Sequence, residues 1–73
     1  MKPLREWRTE RLWSVRDLAR EAGVSTKTVV QAEYGRQRPS YGTMRRISEA
    51  LGVPAAEIAE FAATLEQRGK DAA

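Results

Sequence analysis

Residues 14–34 contain two short helical patterns, separated by a break at Gly23, Val24 and Ser25. The second pattern places hydrogen-bonding side chains on one face of a helix and apolar side chains on the other. In the second pattern Val29 and Ala32 form the apolar face. The opposite face is mostly polar and consists of Thr26, Lys27, Val30, Gln31 and Tyr34. Hydroxyl, ammonium and amide groups bind the edges of nucleic-acid bases. Two helices joined by a tight glycine-containing turn form the unit that places its second helix in the DNA major groove. The segment therefore predicts DNA recognition.

Two helices are predicted up to this break. Pro3 fits the first turn of helix one, because the N–H that proline lacks has no helical partner there. The apolar spacing of this helix is carried by Leu4, Trp7 and Arg11 or Leu12. Ser14 and Asp17 form a capping-box pattern at the start of helix two, which Gly23 ends. The apolar stripe of helix two is Val15, Leu18, Ala19 and Ala22.

Three more helices are predicted after the break, with no strand-like alternation between them. Ser25 caps helix three and Gly35 ends it. Residues 36–39 form a loop, because a residue that precedes proline avoids the helical region. Helix four is capped by Ser40 or Thr43, and its apolar spacing predicts that it buries Met44, Ile47 and Leu51.

The last predicted helix follows Gly52 and opens at Pro54. One of its faces carries Ile58, Phe61, Ala62 and Leu65. We expect one domain over residues 1–67 and a frayed tail over residues 68–73. The predicted fold is therefore all-α.

The composition of the 73-residue chain excludes several classes of protein. It contains no cysteine and no histidine, so a zinc finger is excluded, and the commonest general base is missing. We therefore expect no enzyme activity, no metal and no cofactor. No apolar run approaches the roughly 20 residues that span a bilayer, and no signal sequence is apparent, so a cytoplasmic protein is expected.

The charge of the chain is divided unevenly along its length. Residues 1–46 hold 11 Lys and Arg against 5 acids, a net +6, whereas residues 47–73 have a net charge of −3. A basic half beside an acidic half indicates a polyanionic partner for the first part only.

Three motifs occur in order along the chain, and together they are specific. They are Ser14-x-x-x-Leu18-Ala19-x-x-Ala22-Gly23-Val24-Ser25, Val29-x-x-x-Glu33-x-Gly35-x-x-x-Pro39-Ser40 and Ile47-x-x-Ala50-Leu51-Gly52-Val53. In these motifs the chain resembles the helix-turn-helix family of phage Cro and C1-type repressors (the XRE family), from Leu4 to about Phe61. The resemblance implies a compact five-helix bundle, with helix three in the major groove of double-stranded DNA, and a sequence-specific transcriptional regulator, in particular a repressor.

The resemblance also implies which side chains contact DNA. Base contacts are expected from Thr26, Lys27, Val30 and Gln31. Lys27 suits guanine O6 or N7, Gln31 suits adenine N6 and N7, and Val30 suits a thymine methyl group. Contacts with the DNA backbone are expected from Arg16, Thr28, Arg36, Gln37, Arg38 and Tyr41.

One position departs from the family, which usually has glutamine directly after the cap of helix two, in contact with a phosphate. Val15 stands there and cannot make that contact, so Arg16 is expected to replace it or the contact is lost. The resemblance further implies an internal ion pair between Arg8 and Glu33. Trp7 and Trp13 are expected in the core, since large aromatic side chains fill a small interior.

The partner is expected to be double-stranded DNA, bound by a homodimer at a near-palindromic site with half-sites roughly 34 Å apart. The predicted dimer element is helix five, through Phe61, Ala62 and Leu65. Two other functions stay open at this point. One is the antitoxin of a toxin–antitoxin pair, with the acidic C-terminal region on the toxin. The other is a protein-interaction module that has the fold without DNA binding.

Overall fold

The computed structural model of the chain describes the backbone of residues 1–35 and 39–72, and the side chains of residues 1–35 and 39–65. The described part contains a 3₁₀ turn over Ala55–Glu57 and five α-helices: α1 (Leu4–Glu10), α2 (Val15–Ala22), α3 (Thr26–Tyr34), α4 (Tyr41–Leu51) and α5 (Ala59–Ala72). The predicted all-α five-helix bundle is confirmed. The predicted loop residues Arg36, Gln37 and Arg38 lie outside the described residues.

Serine side chains begin the three central helices, as the sequence predicts. The hydroxyl oxygens of Ser14, Ser25 and Ser40 each accept the backbone N–H three residues further on, at 3.0, 3.1 and 3.2 Å. At α2 the capping box is complete, because the N–H of Ser14 also donates to Asp17 Oδ2 at 2.9 Å. This backbone hydrogen bond and the Ser14 hydroxyl hold the pKa of Asp17 below its ordinary value, so its carboxylate stays charged to lower pH than that of an ordinary aspartate.

A glycine in the left-handed region ends α2. Gly23 has φ of +71°, and the N–H of Val24 donates to the carbonyl of Ala19 at 3.0 Å. This is the Schellman motif, which turns the chain sharply while satisfying carbonyls at the helix end. The turn that joins α2 to α3 is therefore set by local backbone hydrogen bonds.

The end of α1 makes the same turn with a leucine instead of glycine. Leu12 has φ of +58°, and the N–H of Trp13 donates to the carbonyl of Arg8 at 3.3 Å. The prediction that Leu12 belongs to the apolar spacing of helix one is wrong, because its side chain lies beyond the helix and is 92% exposed. Arg11 is half-buried instead, and donates to the carbonyl of Trp7 at 3.0 Å and to that of Leu51.

Replacing Leu12 with glycine is expected to stabilise the domain by about 0.5–1 kcal/mol. The left-handed conformation costs an L-residue roughly 1–2 kcal/mol, a cost that glycine avoids. Glycine loses more conformational entropy on folding, which offsets roughly 0.5–1 kcal/mol of this gain. Urea denaturation followed by circular dichroism measures the change. Leu12→Ala is the matched control, because it removes the exposed side chain but keeps the strained backbone. An equal gain from alanine would show that exposure, not backbone strain, is the cause.

The core of the bundle draws on every described helix. Its wholly buried large side chains are Phe61, Leu4, Leu18, Met44, Ile47, Ile58 and Val29. Trp7 and Trp13 are half-buried and pack against this cluster from outside. The tryptophans therefore cover the core, and Phe61 is the largest side chain wholly inside it.

The last helix starts later than predicted. Pro54 opens only the 3₁₀ turn, Ile58 is extended, and α5 begins at Ala59. The cause is a backbone pairing with the start of the chain, in which the N–H of Lys2 donates to the carbonyl of Glu57 at 3.3 Å and the N–H of Ala59 donates to that of Lys2 at 2.9 Å. In a continuous helix from Pro54, the carbonyl of Glu57 and the N–H of Ala59 would form hydrogen bonds within the helix. They could not then pair with Lys2, so the pairing and the continuous helix exclude each other.

Phe61 in α5 is wholly buried in the core of its own chain (0% exposed). The prediction of a dimer contact through this residue is therefore wrong, whereas Ala62 and Leu65 are half-buried. The boundary of the domain at residue 67 stays a prediction.

Within the part of the chain that the structure describes, no helix has the length and apolar character needed to cross a membrane.

Candidate nucleic-acid interface

Helix α3 has one buried and one exposed face, and the division follows the sequence pattern. Val29 and Ala32 point into the core, with 0% and 2% of their surface exposed. Lys27, Val30 and Tyr34 are exposed on the opposite side. The predicted orientation of this helix is therefore confirmed.

The orientation of α3 is fixed by an ion pair to α1. The Nε of Arg8 lies 2.6 Å from Glu33 Oε2, and its Nη2 lies 3.2 Å from Oε1, so the contact is bidentate. Arg8 also donates to the carbonyl of Trp13 at 2.8 Å. Both side chains are shielded, with 12% and 5% of their surface exposed. The predicted Arg8–Glu33 pair is confirmed, and it prevents α3 from rolling on the core.

The start of α3 is stabilised by two hydroxyl groups. Ser25 accepts the N–H of Thr28, and the two side-chain oxygens lie 2.8 Å apart. Thr28 is half-buried at this contact. The hydroxyl of Thr28 is thus part of the cap that holds the beginning of the helix.

Arg46 is a positioning contact that sequence analysis missed. From α4 its Nη1 donates to the carbonyl of Gly23 at 3.3 Å, in the turn between α2 and α3. A guanidinium at this place also faces the negative end of the α2 dipole. A basic residue on a helix surface carries no sequence signal for such a contact, because the partner is a backbone carbonyl 23 residues away.

The first turns of α3 and α4 contain no acidic residue, in contrast to those of α1, α2 and α5. The N-terminal end of a helix carries a partial positive charge that favours anions. In α2 the carboxylate of Asp17 already occupies this position. No carboxylate neutralises the positive potential at the N-terminal ends of α3 and α4, so these two ends suit a polyanion.

The structure brings the four predicted base-contacting residues to one surface. Thr26, Lys27 and Val30 are exposed, and Gln31 is half-buried beside them. The intervals of three and four residues place them on neighbouring turns of the same helix. Their arrangement forms a continuous face along the first two turns of α3.

The residues predicted to contact the DNA backbone lie on several different elements of the fold. Arg16 is exposed in the first turn of α2, and Tyr41 is exposed at the first residue of α4. Val15 is half-buried and packs against the core, so it takes no part in a polar surface. Arg36, Gln37 and Arg38 fall outside the described residues.

Acidic charge around this surface is largely engaged in the fold. Residues 14–46 contain three acids, Asp17, Glu21 and Glu33. Asp17 caps α2, and Glu33 is paired with Arg8 below the surface. Glu21 is exposed, but the exposed charges among the described residues of this stretch are mostly positive. The positive ones are Arg16, Arg20, Lys27, Arg45 and Arg46.

Comparison with known proteins agrees with this geometry. A family model described as helix-turn-helix matches residues 4–58, which is most of the chain. The chain belongs to the Cro/C1-type (XRE) helix-turn-helix family. Within this family, the turn at Gly23 joins the two helices of the motif, α2 and α3.

Curated relatives of this helix-turn-helix chain occur in mycobacteria. Proteins from Mycobacterium tuberculosis and Mycobacterium bovis, each named an uncharacterized HTH-type transcriptional regulator, are 37% identical to it over 51 residues. The match covers 70% of this chain but only 20% of each relative. The chain thus spans about a fifth of the length of the relatives it matches. No solved structure matches it significantly.

Proposed function

We propose that the protein is a sequence-specific, double-stranded DNA-binding transcriptional regulator that acts as a repressor. The observation that carries the proposal is the exposed face of α3, whose opposite side is anchored by Val29, Ala32 and the Arg8–Glu33 pair. A helix held in this way presents its first turns to the major groove without reorganisation. The names of the mycobacterial relatives support a transcriptional regulator.

Base recognition is assigned to the first two turns of α3. Lys27 donates to guanine O6 or N7, and Gln31 pairs with adenine N6 and N7. Thr26 and Val30 complete the base-contacting set. The acid-free start of α3 supports this placement, because a carboxylate there would repel the DNA.

Contacts with the DNA backbone position the protein without reading sequence. They are assigned to Arg16, Thr28, Arg36, Gln37, Arg38 and Tyr41. The exposure of Arg16 and the acid-free start of α4 at Tyr41 support two of these assignments. The proposed partner copy is bound through Ala62 and Leu65 of α5, and helix-turn-helix dimers bind half-sites about 34 Å apart.

The salt dependence of binding to duplex DNA tests this function. For each phosphate contact, the logarithm of the binding constant is expected to fall with the logarithm of salt concentration at a slope of about −0.9. Fluorescence anisotropy with a labelled duplex between 50 and 200 mM salt, roughly the range over which such contacts lose most of their strength, measures it. Absence of binding at the lowest salt would overturn the proposal and favour the protein-interaction module.

Base recognition is tested by Lys27→Ala and Gln31→Ala. Each is expected to weaken binding to the preferred site by about 1–3 kcal/mol and to relax the base preference at one position. Arg38→Ala is the contrasting variant, since loss of a phosphate contact weakens all sequences alike and makes the salt slope shallower by about 1. Titrations with preferred and scrambled duplexes separate the two effects. A uniform loss from Gln31→Ala on both duplexes would contradict its role.

A further inference from the structure

Arg46 has a guanidinium that is held in one place without being neutralised. Its Nη1 donates to the carbonyl of Gly23 at 3.3 Å, and the residue is exposed. Within the described residues this partner is a neutral carbonyl, in contrast to the carboxylate of Asp17 that pairs with Arg20. The positive charge of Arg46 is therefore oriented by the fold and still available to an anion.

The carbonyl that holds Arg46 lies close to the start of the proposed reading helix. Gly23 ends α2, and α3 begins at Thr26, three residues further on. The N-terminal residues of a recognition helix enter the major groove. A guanidinium on this turn would therefore lie near the edge of the groove, where the phosphates are, when α3 is inserted.

Two arginines hold α3 near its opposite ends. Arg8 from α1 binds Glu33 in the last turn of the helix, and Arg46 from α4 binds the turn that precedes its first residue. The contact of Arg8 is shielded, with 12% of its side chain exposed, whereas Arg46 is open to the surface. A ligand can therefore reach the hold on the N-terminal end of α3 without disturbing the inner pair.

A guanidinium has five N–H donors in a planar fork, and it commonly binds phosphate through two of them. Gly23 accepts one of the donors of Arg46, which leaves others for an anion. We propose that Arg46 binds a DNA phosphate while it keeps its hydrogen bond to Gly23, so that this contact positions the start of α3. The inference rests on the proposed function. It adds a DNA contact on α4 that lies outside the residues assigned above.

The hydrogen bond to Gly23 also prepares the side chain for binding. A long side chain that moves freely loses rotamer entropy when it binds, and one that is already held loses less. Arg45 precedes Arg46 on α4 and is also exposed. Among the contacts of the described residues, none holds the guanidinium of Arg45. The two arginines have the same charge at adjacent positions, so they form a matched pair for the test.

Salt titration of a labelled duplex tests the phosphate contact. Arg46→Ala in the full chain is expected to make the slope of log K against log salt shallower by about 0.9, the contribution of one phosphate. Arg45→Ala removes the same charge and should change the slope much less. Equal changes of slope in the two variants would overturn the inference.

Base preference tests the positioning role. The ratio of affinities is measured for a duplex enriched from a random pool by the unaltered chain and for a scrambled duplex. Arg46→Lys keeps the charge but lacks the planar fork that could join a carbonyl to a phosphate. It should keep the salt slope and lower the ratio roughly two- to tenfold, as expected for the loss of one hydrogen bond. A ratio unchanged in both Arg46→Lys and Arg46→Ala would show that Arg46 does not position α3.

Amide hydrogen exchange locates the effect in the fold. The N–H of Val24 closes the turn at Gly23, and the N–H of Val53 closes a similar turn at Gly52. DNA is expected to slow exchange at Val24 more than at Val53, and Arg46→Ala should abolish this difference. Circular dichroism should stay unchanged, because the residue is exposed and alanine favours a helix. If the unaltered chain binds no duplex, the proposed function fails together with the inference. Binding that every Arg46 variant leaves unchanged would overturn the inference alone.

Discussion

Arg8→Ala is expected to lower the free energy of unfolding by about 3–5 kcal/mol, the range for breaking a buried ion pair from one side. The loss arises mainly at Glu33, whose side chain is 5% exposed and whose carboxylate would stay buried without its two hydrogen bonds from Arg8. The carbonyl of Trp13 would lose its guanidinium donor as well. Because a domain has only about 0.05–0.15 kcal/mol of stability per residue, this variant is expected to be close to unfolding at 37 °C.

Urea denaturation at low temperature, followed by circular dichroism, measures this change. The control is Arg20→Ala, which removes a pair with Asp17 in which the arginine side chain is 69% exposed. Its effect should be far smaller, because water screens an exposed pair. The double variant Arg8→Met/Glu33→Leu should recover much of the stability, since no charge is left buried. An equally small loss of stability in Arg8→Ala and Arg20→Ala would show that the inner pair does not support the fold.

Phe61→Ala is expected to destabilise the domain by about 3–5 kcal/mol, the range for truncation of a buried phenylalanine. Phe61 is wholly buried among side chains of its own chain, so its removal leaves a cavity in the monomer. The midpoint of thermal unfolding should therefore fall by the same amount at every protein concentration. A loss of dimer contacts would instead depend on concentration, because association stabilises by mass action.

Leu65→Ala is the matched control for this prediction. Leu65 lies one turn further along α5 and is half-buried against the core. Its truncation should cost less than that of Phe61, and any part of the loss that comes from the proposed dimer should diminish on dilution. A fall in the midpoint of Phe61→Ala that changes with protein concentration would contradict the assignment of Phe61 to the core alone.

Features decided by neighbouring residues were predictable from the sequence. The serine caps depend on hydrogen bonds that reach only three residues, as at Ser25 and Thr28. The faces of α3 follow from helical spacing, which separates Val29 from Val30. The Arg8–Glu33 pair was implied by the family resemblance, since spacing alone does not join residues 25 positions apart.

Features decided by distant residues were not predictable in the same way. The late start of α5 depends on Lys2, which pairs with the backbone on both sides of Ile58. The helical spacing of α1 allows either Arg11 or Leu12 on its apolar face, whereas the backbone uses Leu12 in a left-handed turn that glycine would suit better. The residues that contact DNA remain proposals, because exposure shows which side chains are available and not which of them a base meets.

The pairing of Lys2 with the backbone around Ile58 also has a consequence for the order of folding. Leu4 adds to this pairing by donating its N–H to Glu60 Oε1 at 2.8 Å, across 56 residues of sequence. Closing so long a loop is entropically costly, so these contacts should form after the helix-turn-helix motif has assembled from its local hydrogen bonds. The amide of Ala59, which donates to Lys2, would then exchange its hydrogen whenever the two ends of this loop separate.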